Sequence, residues 1–206
     1  MTQPPPYPYP GSLRPSRPED LYASSPPWDI GRPQPAFAAL AEAGVLTGRV
    51  LDAGCGTGEH TLLAAGLGLD ATGVDLARNA LDRAEQKARE RELAARFLHH
   101  DARRLAELGD VFDTVLDCGL FHIFADADRV AYVDSVRSAL RPGGRYLMLG
   151  FSDQQPGGWG PHRLTRADIT TAFSEGWRLD SLEPATIAIT TDPDGVRAWL
   201  AALTRR

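Results

Sequence analysis

A chain of 206 residues, 43% hydrophobic and 24% charged, has the length and mix for one domain with a full core, which excludes a wholly disordered or fibrous protein. Its net charge of -5 leaves no basic surplus for a phosphate backbone, so nucleic acid is not the expected partner, and no run approaches the ~18 apolar residues of a membrane span. Two cysteines, Cys55 and Cys118, are too few for a disulfide scaffold and too far apart for a zinc knuckle, which points to a reduced, cytoplasmic setting.

Pro4, Pro5, Pro6, Pro8 and Pro10 remove backbone donors and restrict φ, so residues 1–19 read as a flexible proline-rich tail. Residues 20–206 read as a single domain, and its first stretch carries Leu21, Tyr22, Trp28, Ile30 and Phe37, large apolar groups that a solvated tail does not need. From there short apolar runs alternate with amphipathic ones, the pattern of a doubly wound parallel sheet. Strands are predicted at residues 49–53, 71–75, 95–99, 114–117 and 145–150, with helices at 59–65, 77–91 and 129–140. Leu81, Ala84 and Ala88 share one face of the second helix, and Val130, Val133, Val136 and Leu140 one face of the third. Pro142-Gly143-Gly144 then stops that helix and turns the chain. The last third predicts a helix at 165–173, strands at 177–182 and 185–190, and a closing helix at 196–203. No internal repeat is evident.

The run Val50-Leu51-Asp52-Ala53-Gly54-Cys55-Gly56-Thr57-Gly58 ends a buried strand and opens a helix, so its glycines let a ligand approach the backbone amides. A dinucleotide fingerprint wants its third glycine one residue later, where Glu59 stands, and the nicotinamide reductase reading weakens accordingly. Asp75, at the end of the second strand, is placed to accept hydrogen bonds from a ribose diol.

Asp52-Ala53-Gly54-Cys55-Gly56-Thr57-Gly58 resembles the first motif of class I S-adenosylmethionine-dependent methyltransferases, and Asp75 their second. Asp101-Ala102 is similar to the adenine site of that family, Phe112-Asp113-Thr114-Val115 to the entry of its fourth strand, and Leu140-Arg141-Pro142-Gly143-Gly144 to the turn before its fifth. The resemblance implies a Rossmann-like α/β fold: a seven-stranded, mostly parallel sheet with helices on both faces and the last strand antiparallel. It also implies S-adenosylmethionine as cofactor, with S-adenosylhomocysteine as product, held by Asp52, Gly54, Cys55, Gly56, Gly58, Asp75, Leu76, Asp101, Ala102 and Cys118. Pro26-Pro27-Trp28-Asp29-Ile30-Gly31-Arg32-Pro33-Gln34-Pro35 resembles the cofactor-covering segment of the thiopurine, thiol and halide methyltransferases. That similarity makes residues 20–45 an N-terminal lid, with Trp28 near the methionine end of the cofactor and Tyr22 against the substrate.

After the fourth strand comes Asp117-Cys118-Gly119-Leu120-Phe121-His122-Ile123-Phe124 rather than the Asn/Asp-Pro-Pro-aromatic element of methyltransferases that modify exocyclic amines. The expected acceptor is therefore a sulfur, oxygen or ring nitrogen of a small, heteroaromatic molecule, in a pocket walled by Phe121 and Phe124, with Trp159 adding an apolar wall. A histidine suits base catalysis near neutrality. His122 is the first candidate, with a partly buried histidine hydrogen-bonded to a neighbouring carbonyl as the alternative, and His162, in the Gly/Pro-rich insertion after the fifth strand, is the second. His60 reads as core or helix surface, Asp113 as a strand-end polar residue, and Asp126 and Asp128 as the polar start of a helix, so no metal site is expected. A halide or simple-thiol methyltransferase, and a protein that binds the cofactor without catalysis, are the competing readings; monomer and homodimer are both open.

Overall fold

The computed structural model describes residues 17–158 and 160–206, so most of the proline-rich tail and Trp159 lie outside the described residues. Short β-branched and apolar runs form β1 (Arg49–Ala53), β2 (Asp70–Asp75), β3 (Ala95–His99) and β4 (Phe112–Cys118). Helices α2 (Glu59–Gly66) and α3 (Arg78–Glu90) connect the first three strands, after α1 (Pro35–Glu42), which opens on proline, a residue with no amide to lose at a helix start. Ala80, Leu81, Ala84 and Ala88 are the buried stripe of α3, the face expected from their spacing.

With β5 (Leu140–Phe151), β6 (Trp177–Ile189) and β7 (Asp192–Arg205), the seven strands run in the order β3-β2-β1-β4-β5-β7-β6, with β7 antiparallel to both neighbours and the rest of the sheet parallel. The chain starts in the middle, winds outward through β2 and β3, and returns to place β4 beside β1. That reversal opens a crevice outside the carboxyl ends of β1 and β4, where ligands of such sheets sit. Side chains alternate across the sheet with period two. Leu51, Val115, Tyr146 and Met148 join the core under α4 (Asp126–Ala139) and α5 (Arg166–Ala172), while Val50, Leu116, Leu147 and Leu149 join the core under α1 and α2.

Three expectations about the second half are corrected. Within α4 the buried stripe is Tyr132, Val133, Val136 and Ala139, whereas Val130 is 63% exposed and Leu140 already belongs to β5 (Leu140–Phe151). Residues 141–144 form the irregularity between the Phe112–Leu140 and Thr114–Arg145 pairings, so the predicted turn survives as a bulge. The two predicted strands at 177–190 are one, β6 (Trp177–Ile189), and it tolerates Pro184 because it is an edge strand that needs no donor on its outer side.

The largest correction is the predicted closing helix at 196–203, which is the core of strand β7 (Asp192–Arg205). Val196 and Ala198, with Leu200 and Ala202, pack in the α1–α2 core; Trp199, Ala201 and Leu203 pack in the other. A strand apolar on both faces shows no alternation in its sequence, and its alanines and leucines then read as helix formers. Among the described residues no helix is long and apolar enough to cross a membrane.

Candidate active site

The crevice between β1 and β4 is built from the glycine loop outward. Gly54, Gly56 and Gly58 take φ values of 71°, 52° and 84°, a region costly for any side chain, and the amides of Gly54 and Cys55 both donate to the Val74 carbonyl at 2.9 Å. Asp75, from the end of β2, accepts from the Gly56 amide through one oxygen and from the Ala77 amide through the other, each at 2.8 Å. Leu76 beside it is 37% exposed, an apolar surface at the lip of the crevice. Asp101 accepts from the Arg103 amide at 2.9 Å and pairs with its guanidinium at 2.7 Å, which holds its carboxyl below the usual range; Ala102 is buried next to it.

Three carboxylates, Asp52, Asp75 and Asp117, gather at the ends of β1, β2 and β4. Their hydrogen-bond donors are amides and hydroxyls, not cations. Burial lifts all three, and Asp52 reaches about 7 despite two hydrogen bonds from Thr61 that oppose the shift. Both Thr61 bonds, from the amide at 3.0 Å and the hydroxyl at 2.8 Å, fall on the same Asp52 oxygen. The other oxygen, Oδ1, is buried without a partner among the described residues. An orphaned carboxylate oxygen in an anionic crevice calls for a charged donor. An α-ammonium group of an amino-acid tail is such a donor, and a ribose diol is what Asp75 can still accept from, so the residues present fit S-adenosylmethionine. Cys55 and Cys118 line the same region; burial and neighbouring carboxylates push both thiols up, which leaves them protonated packing groups and not nucleophiles.

The N-terminal segment closes over this loop. The Tyr22 hydroxyl stands only 2.5 Å from where a Cβ on Gly56 would be, and Trp28 meets the Tyr22 ring edge-on at 6.4 Å between centroids. Tyr22, expected against the acceptor, thus packs on the glycine loop. Asn79 and Arg83 of α3 donate to the carbonyls of Glu19 and Tyr22, both at 2.9 Å, and Lys87 joins Thr57 and Glu59 with Asp29 4.0 Å away. Gln34, bracketed by prolines, pairs its side-chain amide with the edge strand at Ala188 in both directions (3.0 and 2.7 Å). Its own N–H donates to His60 Nε2 at 3.1 Å; burial holds that ring neutral, down to about 4. The covering strap ends there: α1 belongs to the core, with Phe37 fully buried, although it falls inside the 20–45 lid expected from the sequence.

On the acceptor side, Asp117 takes hydrogen bonds from the Leu120 and Phe121 amides at 2.8 and 3.0 Å and from the hydroxyls of Tyr132 and Tyr146 at 2.7 and 2.6 Å. A charged residue inside an apolar strand is the one sequence signal for this anchor; the sequence shows Asp117 and Gln34 only within longer stretches and marks neither as an anchor, and nothing in it singles out the two tyrosines. Phe121 and Phe124, expected as pocket walls, are corrected: the Phe121 amide is drawn to Asp117 and its ring is fully buried, 5.2 Å from Phe173, and the Phe124 ring is buried 4.9 Å from Tyr132. His122 is buried next in the chain, with Nδ1 accepting from the Phe151 amide at 3.0 Å. Burial, and then the positive potential of His162, takes it down to about 3. His162 is half exposed, its Nε2 3.7 Å from Asp168. Asp128 pairs with Arg103 at 2.6 Å.

The family model of a methyltransferase domain matches residues 50–144. A 2-heptyl-1-hydroxyquinolin-4(1H)-one methyltransferase of Mycobacteroides abscessus is 36% identical over 177 residues, which cover 84% of this chain and 78% of the relative. A probable thiol methyltransferase of Arabidopsis thaliana is 31% identical over 146 residues, 69% of this chain and 64% of the relative. A solved structure concerned with the conversion of a disulfide bond into a thioacetal group during echinomycin biosynthesis superposes with a TM-score of 0.80 at 38% identity, covering 88% of this chain and 86% of that one. The magnesium protoporphyrin IX methyltransferase of Synechocystis PCC 6803, solved with bound S-adenosylmethionine, shares the fold with a TM-score of 0.66 at 22% identity, over 83% and 76% of the two chains. By its similarity to these relatives over most of their length, the chain belongs to the S-adenosylmethionine-dependent methyltransferases.

Proposed function

We propose that this methyltransferase alkylates a sulfur, oxygen or ring nitrogen of a small heteroaromatic molecule. The observation that carries the reading is the full occupation of Asp117. In an amine methyltransferase the acidic residue at the end of the fourth strand has to accept from the exocyclic amine, and here four donors from its own chain already engage both carboxylate oxygens, three of them on Oδ2. The loop after β4 is thereby a fixed wall and not an amine receptor.

Bound S-adenosylmethionine supplies a methyl carbon already activated by its sulfonium. The chain's part is to hold an acceptor in line at about 3–3.5 Å and to keep water out. Asp52 and Asp75 orient the two ends of the cofactor, and the Tyr22–Trp28 strap roofs the glycine loop. The hydroxyquinolinone relative supports an oxygen acceptor and the thiol relative a sulfur one, so simple thiols stand as the second reading. Free Cys55 and Cys118 support a reducing, cytoplasmic setting, and the acidic net charge supports a small solute as partner.

Incubation of the purified chain with methyl-labelled cofactor and a panel of thiols, hydroxyquinolones and phenols tests the proposal. Label transferred to at least one heteroaromatic acceptor is the expected result; tight adenosylhomocysteine binding with no transfer to any acceptor would refute catalysis.

A further inference from the structure

Resting on the methyl-transfer reading above, we infer that His122 presents an N–H to the acceptor instead of taking its proton, and that the acceptor is an acid already ionised when it binds: a thiolate, an N-hydroxy heteroarene or an acidic enol.

The argument starts from proton counting. A neutral imidazole has one N–H and one lone pair. The Phe151 amide can only donate, and it points at Nδ1 from 3.0 Å, so the lone pair is at Nδ1 and the single proton is at Nε2. Taking a proton at Nδ1 would set N–H against N–H at the buried end of β5. Taking one at Nε2 would create an imidazolium where burial and the charge of His162 both oppose it. Neither nitrogen is placed to act as a base.

The protonated edge has somewhere to point. Gly119 follows β4 with φ of 82°, and a Cβ there would lie 3.3 Å from His122 Cε1 and 3.5 Å from Nε2. With no side chain at this position, only backbone lies against the Nε2 edge of the ring. Among the described residues no hydrogen-bond acceptor meets Nε2, which leaves a donor in want of one. The phenyl ring of Phe151 stands perpendicular to the imidazole at 5.1 Å and fixes its plane.

No other group nearby is a better base. Asp117 is saturated, Asp52 is held for the ammonium, and the Cys118 thiol is pushed up by burial and by both of those carboxylates. His162 is half exposed and lies toward Asp168, whose facing oxygen is already shared with Thr165 at 2.7–2.8 Å.

The chemistry balances without a protein base. The acceptor gives its proton to bulk water before binding. Its lone pair then forms the bond to the methyl carbon as the carbon–sulfur bond breaks, and that electron pair stays on sulfur as a neutral thioether. No proton moves during transfer, and the Nε2–H holds the anion in line with the methyl carbon.

Two measurements on the full chain test the assignment. In 15N-histidine-labelled protein, His122 is expected as the Nε2–H tautomer, with no titration between pH 5.5 and 8 on the order expected of a free histidine of pKa ~6.5. Single-turnover transfer to a thiol of pKa ~8.5 and a phenol of ~10 is expected to fall tenfold per pH unit below each acceptor's own pKa, so the two profiles are offset by about 1.5 units. His122→Phe is expected to slow transfer ~10–100-fold without moving either midpoint, and His122→Gln, which keeps an N–H, to recover part of the rate. A shared midpoint near 6–7 that disappears in His122→Gln or His162→Gln, or an Nδ1–H tautomer in a protein that transfers methyl groups, would overturn this assignment alone. Binding of adenosylhomocysteine with no transfer to either acceptor overturns the underlying methyl-transfer reading and this inference with it.

Discussion

Asp52 and Asp117 sit on adjacent strands, one residue out of register, and both are essentially inaccessible to solvent. Because Ala53 pairs with Asp117, the two side chains leave opposite faces of the sheet, Asp52 toward α2 and Asp117 toward α4. Asp117 collects four donors; Asp52 collects two, both on one oxygen, and its other oxygen has none among the described residues. Folding leaves a buried carboxylate under-satisfied only at a cost, and here that cost is carried at the crevice where a cationic ligand would relieve it. The saturated partner shapes the wall; the unsaturated one waits for the ligand.

Removing the saturated carboxylate gives the largest effect. Asp117→Ala strands two buried tyrosine hydroxyls and two amides, and it is expected to destabilise the fold by about 3–5 kcal/mol, read from urea unfolding. The same substitution logic at the other site should spare the fold. Asp52→Asn is expected to change stability by less than about 1 kcal/mol yet weaken adenosylhomocysteine binding ~10–100-fold in calorimetry, the range for a hydrogen bond to a charged group. Equal stability losses at the two positions would erase the distinction.

Finer cuts sharpen it. Tyr132→Phe and Tyr146→Phe each remove one donor from Asp117 and are expected to cost about 1–2 kcal/mol apiece, with non-additivity in the double variant because the donors share one carboxylate. The smallest effect is a proton. The folded Asp52, raised to about 7 by burial, lies above its unfolded value of ~3.9, so its contribution to stability is complete below pH ~4 and is lost as pH rises through about 7. Asp52→Asn should flatten that slope in the free protein. Pairing with an ammonium favours the carboxylate, so adenosylhomocysteine binding at pH 6.5 is expected to expel up to about one proton, seen as buffer-dependent binding heat that vanishes in Asp52→Asn.

The cofactor half was legible because its determinants are local. Gly54, Gly56, Gly58 and Asp75 lie within a single β-loop-α-β stretch, and each has a conformational or hydrogen-bonding reason to be that residue at that spacing. The acceptor half was not. His122 could be singled out as a histidine on the right loop, but its tautomer depends on an amide 29 residues away. Phe121 was placed in a pocket because aromatic residues line pockets, and Asp117 turned it into the core. Gln34 lies in the lid stretch without a legible role of its own, since its partner is the backbone of a strand 154 residues on.

The sequence by itself determined the doubly wound half of the sheet, the glycine loop and the carboxylates that end its strands, because period-two and period-3.6 patterns and glycine's φ freedom act between near neighbours. Only the tertiary structure decided that residues 196–203 are a strand, that Asp52 is left wanting while Asp117 is sated, and which nitrogen of His122 holds the proton. Each of those depends on what the fold brings from far along the chain to cover a face or to meet a lone pair, and spacing along the chain carries no record of it.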